Sequence, residues 1–513
     1  MLKFQKKTGY EVFCKDFSSG YINSSKFGRI KINQDLWESG DKNDRSWVWF
    51  LQSFVFLDEL IDAGDVSLLG SIIKSWVLKY QNTKVDSEFP WHDHASALRL
   101  DRISRVKIEY NLENLDYLAV KHAEFLMDDS FYSKNTNHGF DQACSLILAS
   151  IAFNNSEGAD KWLETGVSRL INEIKFAFSS DGVHVENSPA YHNGMIKNFI
   201  RAHRLLKEVN VVVEDIDPLF DKALNFLAWS TRPDGYLPYI GDSEKYKPSL
   251  PNEFDYLNGY KNLKYVLSRE GGCDLSKEKY SIFEKSGYAF YRSSWLDWDN
   301  HVHIIMKSGF LSNYHRQDDD LNILIYAFGE DWLIDSGMFN HNKKDPIRKY
   351  MRSNLAHNVP IVSNCEVLRK NDRPDFCTLR LIEDFSSELS LEGSTKMYKG
   401  GEVKRRVFVK NSLNYKIVDT FDGFGENEKY CIFHFPIEKE ITIYNDFVVV
   451  RGRNKKMVFK NSLGTLCKTS SGFCGDFPSV CSKNVNKIED SQVLCFGPFL
   501  ENSIEFDIYF MDF

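Results

Sequence analysis

The stretch Ser312–Asp335, SNYHRQDDDLNILIYAFGEDWLID, changes within a few positions from a polar segment to alternating apolar residues. An apolar period of two with many β-branched and aromatic residues predicts β-strands. The polar segment places His315 and Asp318–Asp320 at the mouth of the first of these strands. The stretch therefore bears on function as well as on fold.

The same period of two continues from about Tyr280 to the end of the chain, with Gly, Asn, Asp and Ser between the runs. Runs of this kind are SGYAFYRSSW, HVHIIMKSG, KRRVFVKNS, NYKIVDTF, KYCIFHF, ITIYNDFVVVRG and SIEFDIYFMDF. Many short strands in succession predict an antiparallel sandwich.

The part before it, from about Arg45 to about Arg269, has apolar residues at helical spacing, as in Trp47, Phe50 and Leu51. Roughly eight to ten helices predict an all-α array of hairpins. A chain of 513 residues is too long for one ordinary core. We therefore predict two domains, 1–275 and 276–513, joined by a linker around Gly271–Ser281.

Composition excludes some functions. The net charge of -8 comes without a basic block, which does not favour nucleic-acid binding. No segment has the length and hydropathy of a membrane span or a signal peptide. The ten Cys form no C-x-x-C pair, which predicts free thiols in a reducing compartment. We therefore expect a cytoplasmic protein, or a periplasmic one if a signal has been removed.

Two polar clusters lie in the helical half. WHDHASALRL contains His94 and Arg99, which suit a sugar or carboxylate contact on a loop better than a metal site. NTNHGFDQACS sets Asn137 and His138 ahead of an apolar helix that we expect to begin near Asp141. Taken alone, the second cluster is better explained by a capped turn, since Asn and Gly are ordinary helix-start and turn residues.

The segment DGVHVENSPAYHNG forms a third polar cluster, with Glu186, Asn187, Tyr191 and His192 ahead of another helix. A phenol, with an ordinary pKa of about 10, transfers protons more readily when neighbouring donors or positive charge lower that pKa. A structural role for these residues stays open.

The polar start of the opening stretch and the residues after it form a fourth cluster. It contains His315, Gln317, Asp335, Tyr350, Arg352 and His357. Gln317, Asp335 and His357 offer oxygen and nitrogen ligands.

These motifs resemble the heparinase II/III group of polysaccharide lyases, which includes heparinase III and the oligo-alginate lyases. ENSPAYH, YHRQDDDLNILIYAFGEDWLIDSG and YMRSNLAHNVPIV carry the resemblance, with WHDHASALRL and PDGYLPYIGDS in addition, in the same order along the chain. The resemblance implies an (α/α) toroid followed by an antiparallel β-sandwich, with a cleft between them.

The resemblance also implies the reaction, β-elimination on a polysaccharide or oligosaccharide that contains uronic acid. Asn137 and His138 match the pair that neutralises the uronate carboxylate, Tyr191 matches the acid or base, and His315 matches the base or its partner. Substrate contacts are expected at His94, Arg99, Glu186, His192, Tyr350 and Arg352, with Glu186 as an alternative orienting residue.

A structural metal, zinc or calcium, is implied at Gln317, Asp335 and His357. Many relatives have His where this chain has Gln317, and an amide oxygen is a poorer zinc ligand than imidazole, which weakens the zinc expectation. The elimination itself would require no cofactor.

Two other functions remain open from the sequence. A glycoside hydrolase would use carboxylates such as Glu186 or Asp242 as its acid and base. A glycan-binding protein would keep the scaffold without turnover. For a lyase, we expect either the use of imported oligosaccharides or a part in making or trimming a bacterial surface polysaccharide.

Overall fold

The computed structural model describes Phe4 and residues 10–80, 89–248, 254, 256–270, 277–369, 376–464 and 467–513. The chain divides into two compact units. Unit 1 comprises Met1–Ala177 and Asn198–Val213, and unit 2 comprises Phe178–Lys197 and Glu214–Phe513.

The regular structure of the described residues of unit 1 is helical apart from one small hairpin. Its helices are α1 Tyr10–Ser18, α2 Arg45–Gln52, α3 Asp58–Ala63, α4 Val66–Tyr80, α5 Asp93–Tyr110, α6 Asp116–Met127, α7 Asn137–Ala152 and α8 Ala159–Ala177. The hairpin consists of β1 Tyr21–Ser24 and β2 Gly28–Lys31. The apolar stripe of SWVWFLQSFVFLDELIDAG, which includes Trp47, Phe54 and Ile61, predicts one helix. The structure has two, α2 and α3, because Phe54 between them adopts a left-handed backbone.

Helix α7 is buried along most of its length. It is lined by small and apolar side chains and packs against α5 and α8. Gly166 of α8 permits this contact, because a Cβ atom there would lie 2.8 Å from Ile147 Cγ1. Burial of most of its circumference holds α7 in place, and with it the residues of its first turn.

The next helix, α9 Pro189–Glu208, contains the division between the two units. Unit 2 adds α10 Ile216–Ser230, α11 Asn258–Ser268 and α12 Pro346–Met351. Pro189 suits the first turn of α9 because proline fixes a helical φ and lacks an N–H that would find no partner there. None of the helices in the described part of the chain is long and apolar enough to cross a membrane.

All the remaining strands belong to unit 2. They are β3 Tyr280–Phe283, β4 Tyr288–Arg292, β5 Val302–Lys307, β6 Asn322–Ala327, β7 Glu330–Leu333, β8 Pro360–Val362, β9 Cys377–Leu381, β10 Leu389–Thr395, β11 Glu402–Asn411, β12 Asn414–Asp422, β13 Lys429–Pro436, β14 Glu440–Ile443, β15 Val448–Arg451, β16 Lys455–Asn461, β17 Cys467–Ser471, β18 Val480–Cys481, β19 Glu489–Phe499 and β20 Ser503–Asp512.

These strands form three antiparallel sheets. One has the order β3-β4-β5-β6-β7, a second has the order β14-β15-β16-β20-β12-β11-β10-β9, and the third has β17-β19-β13-β8 with β18 paired to β19. In β11, β12 and β20 buried residues alternate with more exposed ones, whereas β5 and β6 are buried throughout. One face of β11, β12 and β20 thus packs on a hydrophobic core to which β5 and β6 also contribute.

A helical first half and a sheet-rich second half confirm the predicted class of fold. The change from helices to strands lies between Ser268 and Tyr280. Most of the expected linker, 271–276, lies outside the described residues, and the domain limits 1–275 and 276–513 stay a prediction. The nine described cysteines are all unpaired.

Candidate active site

The unit 1 cluster combines the first two predicted polar clusters, WHDHASALRL and NTNHGFDQACS, because the first turns of α5 and α7 lie side by side. Helix α7 begins at Asn137, four residues before the expected start, because Thr136 caps it by accepting a hydrogen bond from Gly139 N. Asn137 and His138 therefore belong to the first helical turn. N–H groups at a helix start point out of the helix and favour anions, so the turn suits a carboxylate.

Two imidazoles stack in this cluster. The rings of His94 and His138 lie with their centroids 4.1 Å apart and their planes 18° apart. His138 Nδ1 donates to Asp93 Oδ2 at 3.0 Å, and His94 Nε2 lies 2.9 Å from Asp141 Oδ2. Because each ring has its own carboxylate, the imidazoles are fixed in orientation.

The carboxylates of this cluster are held in the charged form. Burial alone would raise the pKa of Asp93, but hydrogen bonds from His138, His92 and Ser133 hold it far below its ordinary value. Burial likewise opposes the charge of Asp141, and His94 and Arg201 lower its pKa. The cluster is thus a set of charged acids paired with imidazoles.

The unit 2 cluster combines residues of the third and fourth predicted clusters. They come from the first turn of α9 and two loops. The ring of Tyr191 stacks on the ring of His315, with centroids 3.7 Å apart and planes 21° apart. His315 Nδ1 lies 3.0 Å from Asp242 Oδ2, and its Nε2 lies 3.5 Å from Glu186 Oε2. The structure thus places a phenol, an imidazole and two carboxylates at one point.

The loop that carries His315 is held by Asn187. The Asn187 amide donates to the carbonyl oxygens of Ser312 and Tyr314, at 2.8 and 2.9 Å, and accepts from Leu311 N at 2.8 Å. His315 itself has a φ of 55°, in the left-handed region that non-glycine residues rarely adopt. Such strain persists only where the surroundings impose it, as the buried Asn187 does here.

The phenol of Tyr191 is kept in its protonated form. Burial, followed by the charges of Asp242 and Glu186, raises the pKa of Tyr191 to about 12. Sequence reasoning anticipated a lowered pKa, and the structure gives the opposite, because burial and two carboxylates together outweigh the nearby Arg348. The phenol is thus prepared to give a proton rather than to take one.

Two of the expected substrate contacts are buried in the protein interior. Arg99 lies within α5 rather than on a loop, is fully buried, and binds His122 Nε2 at 2.8 Å and the carbonyl oxygens of Gln52 and Pro90. His192 is also buried, and its Nε2 donates to Ala223 O at 2.9 Å. A substrate contact does not fit this burial, because both side chains would have to leave their partners.

Three other expected contacts are partly exposed in unit 2. The Tyr350 hydroxyl donates to Pro478 O at 2.6 Å, and Arg352 Nη2 donates to Arg316 O at 2.8 Å. Glu186 lies close enough to His315 for the orienting role, and the pKa of its carboxyl is lowered because His184 and His315 outweigh the effect of burial. Their contact with substrate stays a prediction.

The implied metal site fits the described geometry only in part. His357 Nδ1 and Asp335 Oδ2 bind each other at 3.1 Å, while the Gln317 amide donates to Asp242 Oδ1 at 2.6 Å. Gln317 Oε1 and His357 Nε2 are buried and have no hydrogen-bond partner among the described residues. These two atoms are therefore free to act as metal ligands. No group of three His, Cys, Asp or Glu suited to a metal occurs in the described part of the chain. The metal stays a prediction.

The three Asp after Gln317 have structural partners. Asp318 pairs with Arg369 at 2.6 Å, Asp319 with the buried Lys307 at 2.6 Å, and Asp320 accepts from Thr395 Oγ1 at 3.1 Å. They hold the strand entry behind His315.

Sequence reasoning missed Arg348, which lies on α12 and binds both oxygens of Asp242. Its position two residues before Tyr350, where the motif YMRSNLAHNVPIV begins, was the available signal. From the sequence, Asp242 was considered only as an acid or base of a hydrolase. Nothing in the sequence indicates that Asp242 binds His315. Nor did it indicate that Asp93 and Asp141 bind the imidazoles of unit 1.

The fold of the chain is the fold of solved lyase structures. A structure of heparinase III aligns over 99% of this chain and 85% of its own, with a TM-score of 0.81 and 19% identity. Heparan sulfate lyase HepC from Pedobacter heparinus aligns over 100% of this chain and 84% of its own, with a TM-score of 0.78 and 16% identity. These alignments define the class as a helical half followed by an antiparallel sheet half.

The chain belongs to the heparinase II/III family. The family's "Heparinase II/III N-terminus" matches residues 2–264, and "Heparinase II/III-like, C-terminal" matches residues 276–495. This confirms the resemblance drawn from the motifs. Heparin-sulfate lyase of Bacteroides stercoris is 24% identical over 378 residues, which cover 69% of this chain and 54% of that protein. The chain spans about half the length of the curated relatives it matches.

Proposed function

We propose that this protein is a polysaccharide lyase that cleaves an acidic, uronate-containing glycan by β-elimination. The observation that carries the proposal is the stacked pair of Tyr191 and His315, a protonated phenol against an imidazole that is bound to a carboxylate. The relatives named heparin-sulfate lyase support the reaction class. The substrate class follows from the same relatives.

The first requirement of the reaction is to stabilise the charge that develops on the uronate. Loss of the C5 proton places negative charge on the carboxyl group, and preorganised donors lower the barrier. Asn137 and His138 would supply these donors, together with the N–H groups at the start of α7. His138 would donate from Nε2 in its imidazolium form, with its Nδ1–H kept on Asp93, since the neutral ring would present a lone pair at Nε2.

The second requirement is an acid and a base. His315 Nε2 would take the C5 proton, the electron pair of that bond would form the C4–C5 double bond, and the C4–O4 bond would break. Tyr191 would then give its proton to the departing O4. Its raised pKa supports this direction of transfer, because the free enzyme keeps the phenolic proton at neutral pH.

A hydrolase is less well supported by the same residues. An acid carboxyl in a glycosidase needs a raised pKa so that it holds a proton at neutral pH. The pKa of Glu186 is lowered, and that of Asp242 is lowered further because His315, Arg348 and Gln317 donate to it despite its burial. Neither candidate carboxyl is prepared to donate a proton.

The test is incubation with a panel of acidic glycans, including heparin, heparan sulfate, alginate oligosaccharides and bacterial surface polysaccharides. A lyase yields a new ultraviolet absorbance from the conjugated uronate, and the masses of its products sum to the mass of the substrate. A hydrolase yields no such absorbance, and its products carry one additional water. Binding without turnover would instead support the glycan-binding alternative.

A further inference from the structure

The carboxylate of Asp242 accepts several hydrogen bonds in the unit 2 cluster. Its side chain is 2% exposed, and three residues donate to it. Its Oδ1 accepts from Gln317 Nε2 and from Arg348 Nη1, each at 2.6 Å. Its Oδ2 accepts from Arg348 Nη2 and faces His315 Nδ1 at 3.0 Å.

The chemistry of these partners fixes the proton on His315. A carboxylate oxygen only accepts, so the contact with Asp242 requires a proton on His315 Nδ1. In the neutral ring the lone pair is then on Nε2, the nitrogen that faces away from Asp242. A general base needs its lone pair on the side of the substrate.

Arg348 and Gln317 hold Asp242 in the position that this contact needs. The guanidinium binds both carboxylate oxygens, which prevents rotation of the carboxyl group, and its charge offsets the buried negative charge. The segment that carries Asp242 is fixed as well, because Ser188 Oγ donates to Asp242 O at 3.0 Å. The arrangement resists reorientation from both sides.

We propose that Asp242, held by Arg348 and Gln317, is a positioning residue that fixes His315 in the Nδ1–H tautomer and so presents Nε2 as the base. This inference rests on the proposed lyase function and deepens it. It also gives Gln317 a role in this chain, as a donor to Asp242 through its Nε2.

The substitution Asp242→Asn tests the proposal because the two oxygen positions of Asp242 differ. Gln317 and Arg348 both donate to the Oδ1 position, so the amide oxygen of the variant would occupy it. The amide NH₂ would then take the Oδ2 position, where it could no longer accept from Arg348 Nη2 and would face His315 Nδ1, which would have to accept. The His315 ring would shift to the Nε2–H tautomer, and Nε2 would no longer have the lone pair that takes the proton from the substrate.

The tautomer is measured directly by ¹⁵N NMR of the protein labelled in its histidine rings, with the His315 signals assigned from a His315→Gln variant. We expect a protonated Nδ1 and an unprotonated Nε2 in the wild type near neutral pH, and the reverse in Asp242→Asn. On the glycan that the wild type cleaves, kcat should fall about 100-fold or more while KM changes little.

Asp331→Asn is the matched control. Asp331 is also an acid of unit 2 that pairs with an arginine, Arg232, at 2.6 Å, and it does not contact His315. Its loss should leave the His315 tautomer and kcat unchanged. Arg348→Lys keeps the charge but loses the two-point contact, and should give a mixture of tautomers with an intermediate kcat.

The outcomes separate this inference from the proposed function. A wild type that cleaves no acidic glycan overturns the lyase proposal, while the NMR result still decides the tautomer. An Nε2–H or doubly protonated His315 in the wild type overturns the positioning role; Glu186, 3.5 Å from Nε2, would stabilise the doubly protonated ring. That measurement needs the wild type and, for the assignment, the His315→Gln variant, but no variant of Asp242 or Arg348. An active wild type whose kcat survives Asp242→Asn also overturns the role.

Discussion

His138 in unit 1 and His315 in unit 2 have the same first contact and different surroundings. In each, Nδ1 lies 3.0 Å from an aspartate oxygen. Asp242 is almost fully buried and bound by Arg348, whereas the Asp93 side chain is 19% exposed and is shared with His92 and Ser133. His315 is thus held by a buried carboxylate with its own cation, as the proposed proton transfer requires, and His138 lies at a helix start that suits the proposed charge binding.

The largest loss of activity is expected in unit 2, from Tyr191→Phe. This variant removes the proposed acid but keeps the ring stacked on His315. We expect kcat to fall about 10³-fold to 10⁴-fold, because the departing oxygen loses its proton donor. The measurement is initial rate by ultraviolet absorbance. Tyr246→Phe is the control, since that phenol binds Asn193 and Ala190 O and has no part in proton transfer. Equal rates in the Tyr191→Phe and wild-type proteins would remove the assigned role.

Stability should also distinguish the two clusters. Arg348→Met leaves the buried Asp242 without its cation, and we expect the free energy of unfolding to fall by about 3 to 5 kcal/mol. Arg201→Met in unit 1 should cost about 1 kcal/mol, because the Arg201 side chain is 32% exposed and its pairs are screened by water. Urea unfolding followed by circular dichroism gives both values. Equal losses would show that burial does not separate the clusters.

A smaller effect is expected from Asp93→Asn. His138 would lose the carboxylate that orients it, but the start of α7 would still attract the substrate carboxylate. We therefore expect kcat/KM to fall about 10-fold, well short of the loss expected for Asp242→Asn. Steady-state kinetics of the two variants side by side is the measurement. A larger loss at Asp93 than at Asp242 would reverse the comparison.

The smallest effect is the alkaline side of the pH profile. Because burial and two carboxylates raise the pKa of Tyr191 to about 12, the acid keeps its proton well above neutrality. We expect kcat to stay level from about pH 8 to about pH 10. Rates at saturating substrate measure this, with circular dichroism at each pH to show that the protein remains folded. A fall in kcat within this range, with the fold intact, would contradict the assignment of Tyr191 as the acid.

Features of this protein that depend on local sequence could be predicted, whereas contacts between distant segments could not. The change from a helical to a two-residue period predicted the class of fold, because periodicity reports which side chains face a core. Arg99 shows the limit of local reasoning. Its motif suggested a polar loop, yet it belongs to α5 and is buried, because its guanidinium finds His122 and two carbonyl oxygens in the interior.

The sequence by itself determined the two-part fold, the family and the candidate residues Tyr191, His315, Asn137 and His138, since each depends on a local pattern or motif. Only the tertiary structure decided which carboxylates serve the histidines and which form of the phenol is stable. Asp242 lies 73 positions from His315 and 106 from Arg348 in the chain. No local pattern predicts such pairs, because they form only when distant segments fold together and exclude water.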